Sequence, residues 1–201
     1  ALLLRSVDGG ANWTSILAAT SGETVLSGVW GDGATVVAVG YRVPGTGATT
    51  AFIMRSSNGG ANWTEASLAG TDSRRLNGVW VSGGTLVAVG RETVSRDADD
   101  NPTYGGLVLR STDGGASWTS AIAPGAELQL ASVWGASANA LYAVGTRGTL
   151  LHYNGTSWNP ATQGWVQISS GVSGTLFDVG GSSARDVFAV GAGGVVIRGH
   201  R

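Results

Sequence analysis

The chain has 201 residues, of which 42% are hydrophobic and 12% are charged, and its formal net charge at neutral pH is -1. A hydrophobic fraction of this size excludes an intrinsically disordered chain, and the near-neutral charge argues against a nucleic-acid partner, because phosphate binding needs a clustered basic surface. There is no cysteine, which excludes disulfides, thiolate catalysis and cysteine-ligated zinc, and no apolar run approaches the roughly 18 residues that predict insertion into a membrane.

Two sequence units alternate along the chain. The first occupies residues 5–14 and returns at residues 55–64 and 110–119 and, shortened, at 152–158. The second joins a Gly-Val-Trp segment, or a variant of it, to a Val-Ala-Val-Gly segment, as in residues 28–40. The tryptophans of the first unit lie 50, 55 and 40 residues apart, which is the spacing expected for propeller blades of roughly 40–50 residues.

Each repeat contains four short stretches rich in β-branched residues, separated by clusters of Gly, Asn, Asp and Ser, and this pattern predicts four strands per repeat. The predicted A strands are Leu26–Gly31, Leu76–Val81, Leu130–Gly135 and Leu176–Gly181. The predicted B strands are Thr35–Tyr41, Thr85–Arg91, Ala140–Thr146 and Asp186–Ala192. The predicted C strands are Leu2–Ser6, Ala51–Ser56, Leu107–Ser111, Thr149–Tyr153 and Val195–Gly199. The predicted D strands are Asn12–Leu17, Asn62–Ser67, Ser117–Ile122 and either Ser157–Asn159 or Trp165–Ile168.

This order of strands predicts an all-β fold, a β-propeller of four-stranded antiparallel blades with about four blades visible. We predict a single propeller domain or segment over residues 1–201, divided into the partial blade 1–19, the blades 24–69, 75–123 and 128–168, and the partial blade 174–201. Five C strands against four each of the others leave two interpretations open. In a closed four-bladed ring, the two ends of the chain would pair and one C strand would be left over. As part of a larger propeller, the chain would expose sheet edges at both ends.

The first repeated unit carries a recognisable motif, because Ser6-x-Asp8-x-Gly10-x-x-Trp13 matches the Asp-box, also called the BNR repeat. A second copy matches fully, at Ser111, Asp113, Gly115 and Trp118. A third matches with Asn in place of Asp, at Ser56, Asn58, Gly60 and Trp63, and the copy that ends at Trp158 is partial. The resemblance implies a propeller, since Asp-boxes occur in sialidases, sortilin-type receptors, bacterial lectins and Ycf48-type assembly factors of photosystem II. It also implies that the motif is a structural turn without chemistry of its own.

The stretch from Ser132 to Trp158 resembles tandem repeats found in secreted or surface proteins of myxobacteria and their relatives. This resemblance implies an exported bacterial protein, located outside the cell or on its surface, and names no ligand. No signal peptide is visible, and the chain opens with Ala1 rather than Met, which is consistent with removal of a leader.

Three tryptophans, Trp30, Trp80 and Trp134, recur at the end of strand A, where the fourth copy has Gly180. They are expected to pack between blades, and the functional alternative is a ligand-binding platform. An indole can stack on the apolar face of a sugar ring while turn residues bind its hydroxyls, and repeated weak sites would gain through avidity.

The longest insertion, residues 91–106, carries hard oxygen ligands at Asp97, Asp99 and Asn101. Their alternate spacing resembles the start of a calcium loop, although the expected Gly and distal Glu are missing. A solvated acidic loop is the ordinary interpretation and calcium is the alternative. No other cofactor is predicted.

No catalytic residue is predicted. Glycoside hydrolysis needs two carboxylates about 5–10 Å apart, and the four glutamates, Glu23, Glu65, Glu92 and Glu127, are expected in loops or outer strands. The arginines that recur in strand C are expected to line one rim or to pair with neighbouring blades.

The sequence therefore favours a non-enzymatic binding or scaffolding propeller that contacts protein or carbohydrate and that can form a homo-oligomer or join a larger assembly. The alternatives are a lectin with sugar sites at blade junctions, an assembly factor of the Ycf48 type and, least favoured, a glycosidase.

Overall fold

A computed structural model describes residues 2–18, 23–43, 45, 48–66, 68, 73–124, 128–156 and 164–200. Within these ranges, 17 strands form five antiparallel sheets. The first sheet is the N-terminal hairpin, made of β1 (Leu2–Arg5) and β2 (Thr14–Ala18). Blade 1 contains β3 (Glu23–Asp32), β4 (Thr35–Val43), β5 (Thr50–Ser56) and β6 (Thr64–Glu65).

The remaining three sheets repeat the order of blade 1. Blade 2 contains β7 (Arg74–Ser82), β8 (Thr85–Arg96), β9 (Pro102–Ser111) and β10 (Thr119–Ile122). Blade 3 contains β11 (Leu130–Ser137), β12 (Ala140–Gly145), β13 (Leu150–Tyr153) and β14 (Trp165–Gln167). Blade 4 contains β15 (Leu176–Ser183), β16 (Asp186–Gly191) and β17 (Val195–His200). Short 3-10 turns, Thr146–Gly148 and Ala192–Gly194, join the second and third strands of blades 3 and 4.

The blades are stacked face to face around their first strands, as in a β-propeller. The first strands β3, β7, β11 and β15 contact one another in this order and form the inner edge of the arc. Each blade interface is an apolar core. In the first, Val37, Val39 and Ile53 of blade 1 pack with Leu76 and Val79 of blade 2. The Val-Ala-Val runs are nearly continuous in hydrophobicity because neighbouring blades cover both faces of the strand.

Glycine ends each Val-Ala-Val-Gly unit because two strands approach closely there. The first strand of each blade has an irregularity in register, between Leu26 and Gly28 in blade 1. A Cβ atom on Gly40 would overlap the carbonyl oxygen of Val25, and one on Gly90 would overlap the carbonyl oxygen of Arg75. Only a residue without a side chain fits beside the bulge.

The structure confirms the all-β propeller fold and the order of the strands, and it corrects several details. The insertion 91–106 is mostly strand, because β8 and β9 continue as a long hairpin that closes at residues 97–101. The fourth strand of blade 3 is Trp165–Gln167, and the rival Ser157–Asn159 lies outside the described residues. The fourth strand of blade 1 is only two residues long.

The pairing of the two ends that a closed four-bladed ring would require is absent from the described part of the chain. β1 and β2 pair with each other, and β17 pairs with β16. The outer face of blade 4, which carries Phe188, Val190 and Val196, is exposed, whereas the equivalent residues of blade 1, Val37, Val39 and Ile53, are buried against blade 2.

Candidate functional site

The three Ser-x-(Asp/Asn)-x-Gly-x-x-Trp turns share one hydrogen-bond pattern. In the first, Ser6 Oγ accepts a bond from Gly10 N at 2.9 Å and donates to Asp8 Oδ1 at 2.7 Å. The backbone N–H of Asn12 donates to Asp8 Oδ1, and the indole N–H of Trp13 donates to the carbonyl of Gly10. The same bonds recur in the other two turns, where Gly60 N donates to Ser56 Oγ and Gly115 N donates to Ser111 Oγ.

The carboxylates of these turns accept bonds that favour their charged form. The backbone N–H of Asn12, the hydroxyl of Ser6 and the side chain of Asn12 lower the pKa of Asp8 from 3.8 to about 2. The hydroxyl and backbone N–H of Ser117, followed by the hydroxyl of Ser111, lower the pKa of Asp113 further still. Their hydrogen bonds are local to the turn, and both carboxylates close it.

Arginines of β1 and of the third strands β5 and β9 pack against the neighbouring blade. A Cβ atom on Gly60 would lie 3.6 Å from Cδ of Arg5, and one on Gly115 would lie 3.2 Å from Cδ of Arg55. The guanidinium of Arg110 lies 5.9 Å from the centre of the Tyr153 ring. The recurring arginines therefore contribute their aliphatic stems and flat heads to packing between blades.

A cleft of about 490 Å³ lies where the inner strands of the four blades meet. Glycines let the strands approach here, since a Cβ on Gly28 would lie 3.0 Å from the carbonyl oxygen of Asn77, and one on Gly78 would lie 3.1 Å from Cα of Ser132. The equivalent residues in blades 3 and 4 are Ser132 and Asp178, so polar side chains replace the glycines on one side of the cleft.

Polar groups on this side of the cleft bond from blade to blade. Asn77 Nδ2 donates to the carbonyl of Leu130 at 2.7 Å. Ser132 Oγ donates to Asp178 Oδ1 at 2.6 Å, and Oδ1 also accepts the N–H of Val179. The other carboxylate oxygen of Asp178 has no hydrogen-bond partner among the described residues, and the residue is exposed. One exposed carboxylate, held through one of its oxygens, therefore lines the cleft between the blades.

Apolar side chains line the rest of the cleft. Val29 is 57% exposed and Phe177 is 58% exposed, although the residues equivalent to Val29 in the other blades are buried. An exposed apolar group beside a carboxylate and an amide is the usual composition of a ligand site. Val29, Phe177 and Asp178 were not predicted as site residues from the sequence. Asp178 departs from the glycines at that repeat position, and this departure was the signal that could have revealed it.

The three tryptophans Trp30, Trp80 and Trp134 lie in different surroundings in the structure. Trp80 is 3% exposed and belongs to the core between blades 2 and 3, so its face is closed to a sugar ring. Trp134 is half-buried between blades 3 and 4 and contributes to the lining of the cleft. Trp30 is 39% exposed and lines the cleft. Of the three tryptophans, Trp30 therefore offers the most accessible aromatic surface.

The hairpin at Asp97, Asp99 and Asn101 is held by its own hydrogen bonds. Asp97 Oδ1 accepts the N–H groups of Asp99 and Asn101, at 3.0 and 2.9 Å, and the amide of Asn101 donates to both carboxylate oxygens of Asp97. These bonds lower the pKa of Asp97, the side chain of Asn101 most of all. The Asp97 carboxylate closes the turn in the way that Asx turns do.

The glutamates are dispersed. Glu65 forms a bidentate pair with Arg42, at 2.7 and 2.8 Å, and Glu92 pairs with Arg74 at 2.7 Å. Glu23 begins β3 and is exposed, and Glu127 lies outside the described residues. Across the described ranges, no three His, Cys, Asp or Glu side chains are grouped closely enough to hold a metal ion. A search of the same ranges finds no helix with the length and hydrophobicity to span a membrane.

No protein-family model and no curated protein matches the chain. Among solved structures, it is similar to YCF48 bound to a D1 peptide, with 14% identity and a TM-score of 0.45 over 100% of this chain and 72% of that one. It is also similar to YCF48 from Cyanidioschyzon merolae, with 17% identity and a TM-score of 0.42 over 99% of this chain and 74% of that one. A third similar structure is YjhT, with 12% identity and a TM-score of 0.46 over 85% of this chain and 64% of that one. At these identities the likeness concerns the fold alone.

Proposed function

We propose that this propeller is a non-enzymatic binding module whose inner cleft receives an extended segment of another protein. The observation that carries the proposal is the cleft shared by the four blades, whose lining includes the exposed Val29, Trp30 and Phe177 together with the carboxylate of Asp178. A peptide with an apolar side chain next to a cationic one matches this composition.

A cleft shared by four blades suits a peptide better than a sugar at each blade junction. The repeated-site lectin needs an accessible indole at every junction, and the ring of Trp80 is enclosed. A single sugar stacked on Trp30 is the second candidate, because a cleft lined by a partly exposed indole, by Asn77 and by Asp178 offers both stacking and hydrogen bonds.

The absence of a catalytic role is part of the proposal. Glu65 and Glu92 are engaged by Arg42 and Arg74, and Asp178 is the carboxylate that lines the cleft. Glycoside hydrolysis requires two carboxyl groups facing each other. A glycosidase would hydrolyse fluorogenic glycosides and lose that activity on substitution of one acidic residue, and we expect no turnover.

The Ser-x-(Asp/Asn)-x-Gly-x-x-Trp turns are, in this proposal, Asp-boxes that stabilise the blades, and the protein is an exported bacterial one that acts at or outside the cell surface. Low charge density and many small polar residues are common in secreted bacterial β-proteins, and this association supports the proposed location. Fractionation of the producing cells tests it, because recovery of the protein only from the cytoplasm would contradict export.

The cleft is tested by selecting peptides from a displayed random library on the immobilised full chain and by probing the same protein on a glycan array. We expect selected peptides to combine apolar and cationic residues. Trp30→Ala should weaken their binding by at least about tenfold, since buried aromatic anchors dominate such contacts. Asp178→Asn should remove the preference for a cation while retaining the bond from Ser132.

Trp13→Ala is the matched control, because Trp13 is 60% exposed and lies in a peripheral turn. Peptides that bind Trp30→Ala and the unmodified protein equally would refute the peptide site. Glycan signals that depend on Trp30, with no selected peptide, would favour the second candidate.

A further inference from the structure

Two arginines lie directly opposite each other on the neighbouring strands of blade 2. Arg75 of β7 pairs in register with Arg91 of β8. Like charges directly opposite in an antiparallel sheet are destabilising. The adjacent pair shows the ordinary arrangement, since Arg74 lies opposite Glu92 and forms an ion pair with it at 2.7 Å. The Arg75–Arg91 pair therefore carries a local repulsion that a bound anion would relieve.

The chain compensates this repulsion with aromatic rings and one amide. The Arg75 guanidinium lies 4.5 Å from the centre of the Tyr41 ring, and the Arg91 guanidinium lies 3.9 Å from the centre of the Tyr104 ring. Nη1 of Arg91 donates to Gln129 Oε1 at 2.9 Å. Within the described residues, neither guanidinium forms an ion pair with a carboxylate.

The stacked rings also fix the two guanidiniums before any ligand arrives. Both arginines are half-buried, and burial lowers the pKa of Arg91, with a further lowering from Arg75 that Tyr104 opposes. A guanidinium held over an aromatic ring loses little freedom on binding and presents its N–H groups in a fixed fork.

A cavity of about 200 Å³ lies beside this pair. Besides the two arginines, hydroxyl-bearing residues line it, namely Thr49, Ser73, Thr93 and Tyr104. Arg96 also lines the cavity, and its charge is paired with Asp100 at 3.2 Å. Two guanidiniums and several neutral donors around a small cavity form a site for an anion of a few heavy atoms.

The arginine pair is not a requirement of the repeat. The equivalent position in blade 1 has Val25 opposite Tyr41, so a blade forms without it. Blade 2 therefore contains a destabilising pair of residues that its fold does not need. Such a pair is expected where binding of a ligand offsets the destabilisation.

We propose that the pocket between Arg75 and Arg91 binds the oxyanion group of a small anionic ligand. A phosphate, sulfate or carboxylate group shares the required chemistry, since each accepts paired N–H bonds from guanidinium. The pocket and the inner cleft have no lining residue in common. The anion site is therefore independent of the proposed cleft function, and each is tested separately.

The test is titration of the full chain with inorganic phosphate, by calorimetry and by thermal unfolding, against sodium chloride of equal ionic strength. We expect phosphate to raise the unfolding midpoint more than chloride does, because chloride only screens the repulsion. Arg75→Gln and Arg91→Gln should each raise the dissociation constant for phosphate at least about tenfold, the loss of one charge-assisted contact.

Arg185→Gln is the matched control, because it makes the same charge change at an exposed turn of blade 4. Phosphate binding should survive in this variant. Without phosphate, Arg75→Gln should unfold at the same temperature as the unmodified protein or higher, since the repulsion is removed, and this result separates lost binding from lost folding.

Parallel titrations with sulfate and acetate identify the group that is preferred. A stronger response to phosphate and sulfate assigns a tetrahedral ligand, and a stronger response to acetate assigns a carboxylate. Equal effects of all three anions and of chloride would overturn the proposal, as would undiminished phosphate binding in both Arg75→Gln and Arg91→Gln.

Discussion

Trp30 and Trp80 occupy the same position in successive blades, and their surroundings differ completely. Trp80 is 3% exposed in the core between blades 2 and 3, and Trp30 is 39% exposed at the inner cleft. The difference comes from the next blade rather than from the tryptophan itself. A Cβ on Gly135 would lie 3.0 Å from the Trp80 ring, so the absence of a side chain there makes room for the indole.

The residue equivalent to Gly135 in the blade that follows Trp30 is Val81. Its side chain is buried in the core between blades 1 and 2 and fills the place that Gly135 leaves open for Trp80. Trp134 repeats the Trp80 arrangement, since a Cβ on Gly181 would lie 3.0 Å from its ring. In a repeat protein, the role of a residue therefore depends on what the neighbouring repeat presents to it.

The largest expected effect is that of Trp80→Ala compared with Trp30→Ala. Loss of a fully buried indole leaves a cavity, so Trp80→Ala should lower the free energy of unfolding by about 3–5 kcal/mol. Trp30→Ala removes a partly exposed ring and should lower it by under about 1.5 kcal/mol. Urea denaturation followed by circular dichroism measures both. Equal losses would show that Trp30 is as much a core residue as Trp80.

The second test replaces Gly135, the residue of blade 3 that faces the Trp80 ring. Gly135→Val places a side chain against Leu141 and Trp80 and recreates the Val81 environment of Trp30. Overpacking of this kind should cost about 1–3 kcal/mol of unfolding free energy, and Trp80 should become more exposed.

Fluorine NMR of fluorotryptophan-labelled protein reads that exposure directly. The Trp80 signal of Gly135→Val should respond to a change of solvent, as the Trp30 signal does. A Trp80 signal that remains insensitive would mean that the facing residue does not decide the position of the ring.

The fold can be predicted from the sequence because the patterns that specify its strands and turns are local and repeated. The Val-Ala-Val-Gly units and the Ser-x-(Asp/Asn)-x-Gly-x-x-Trp turns place strands and hairpins within each blade. The site is less readable, because it depends on contacts between blades. Trp80 is enclosed because Gly135, which lies 55 positions later in the sequence, leaves room for its ring. The alternate polar residues 97–101 suggested a calcium loop as one alternative. In the structure they bond to one another at the closed end of a hairpin, whose strands β8 and β9 extend beyond the predicted ends at Arg91 and Leu107.

The repeated turns also contain equivalent residues, Ser6 and Ser111, that differ in burial. Ser111 is 2% exposed and Ser6 is partly exposed, although each accepts the same bond from a glycine N–H. Ser111→Ala would leave the buried N–H of Gly115 without a partner and should cost about 1–3 kcal/mol of unfolding free energy. Ser6→Ala should cost less, because water can replace the hydroxyl. Denaturation of both variants measures the difference, and a larger cost at Ser6 would contradict the role of burial.

The smallest expected effect is the pH response of the turns, for which Asn58 provides an internal control. The pKa of Asp8 is about 2 in the folded protein and 3.8 ordinarily, and the pKa of Asp113 is lowered in the same direction. A carboxyl group with a lowered pKa stabilises the folded state above its ordinary pKa, and this contribution is lost as the pH falls through the folded value. The amide signals of Asn12 and Ser117, whose N–H groups bond to these carboxylates, should therefore shift only below about pH 4.

The amide signal of Asn62 should not follow the same titration, because its partner Asn58 has no ionisable group. Nitrogen–proton NMR spectra recorded from pH 6 down to pH 1 compare the three turns in one sample. If Asn62 titrated together with Asn12 and Ser117, the shifts would report a general loosening of the blades rather than protonation of the turn carboxylates. If Asn12 and Ser117 shifted above pH 4, the carboxylates would lack the strong hydrogen bonds that hold their pKa down.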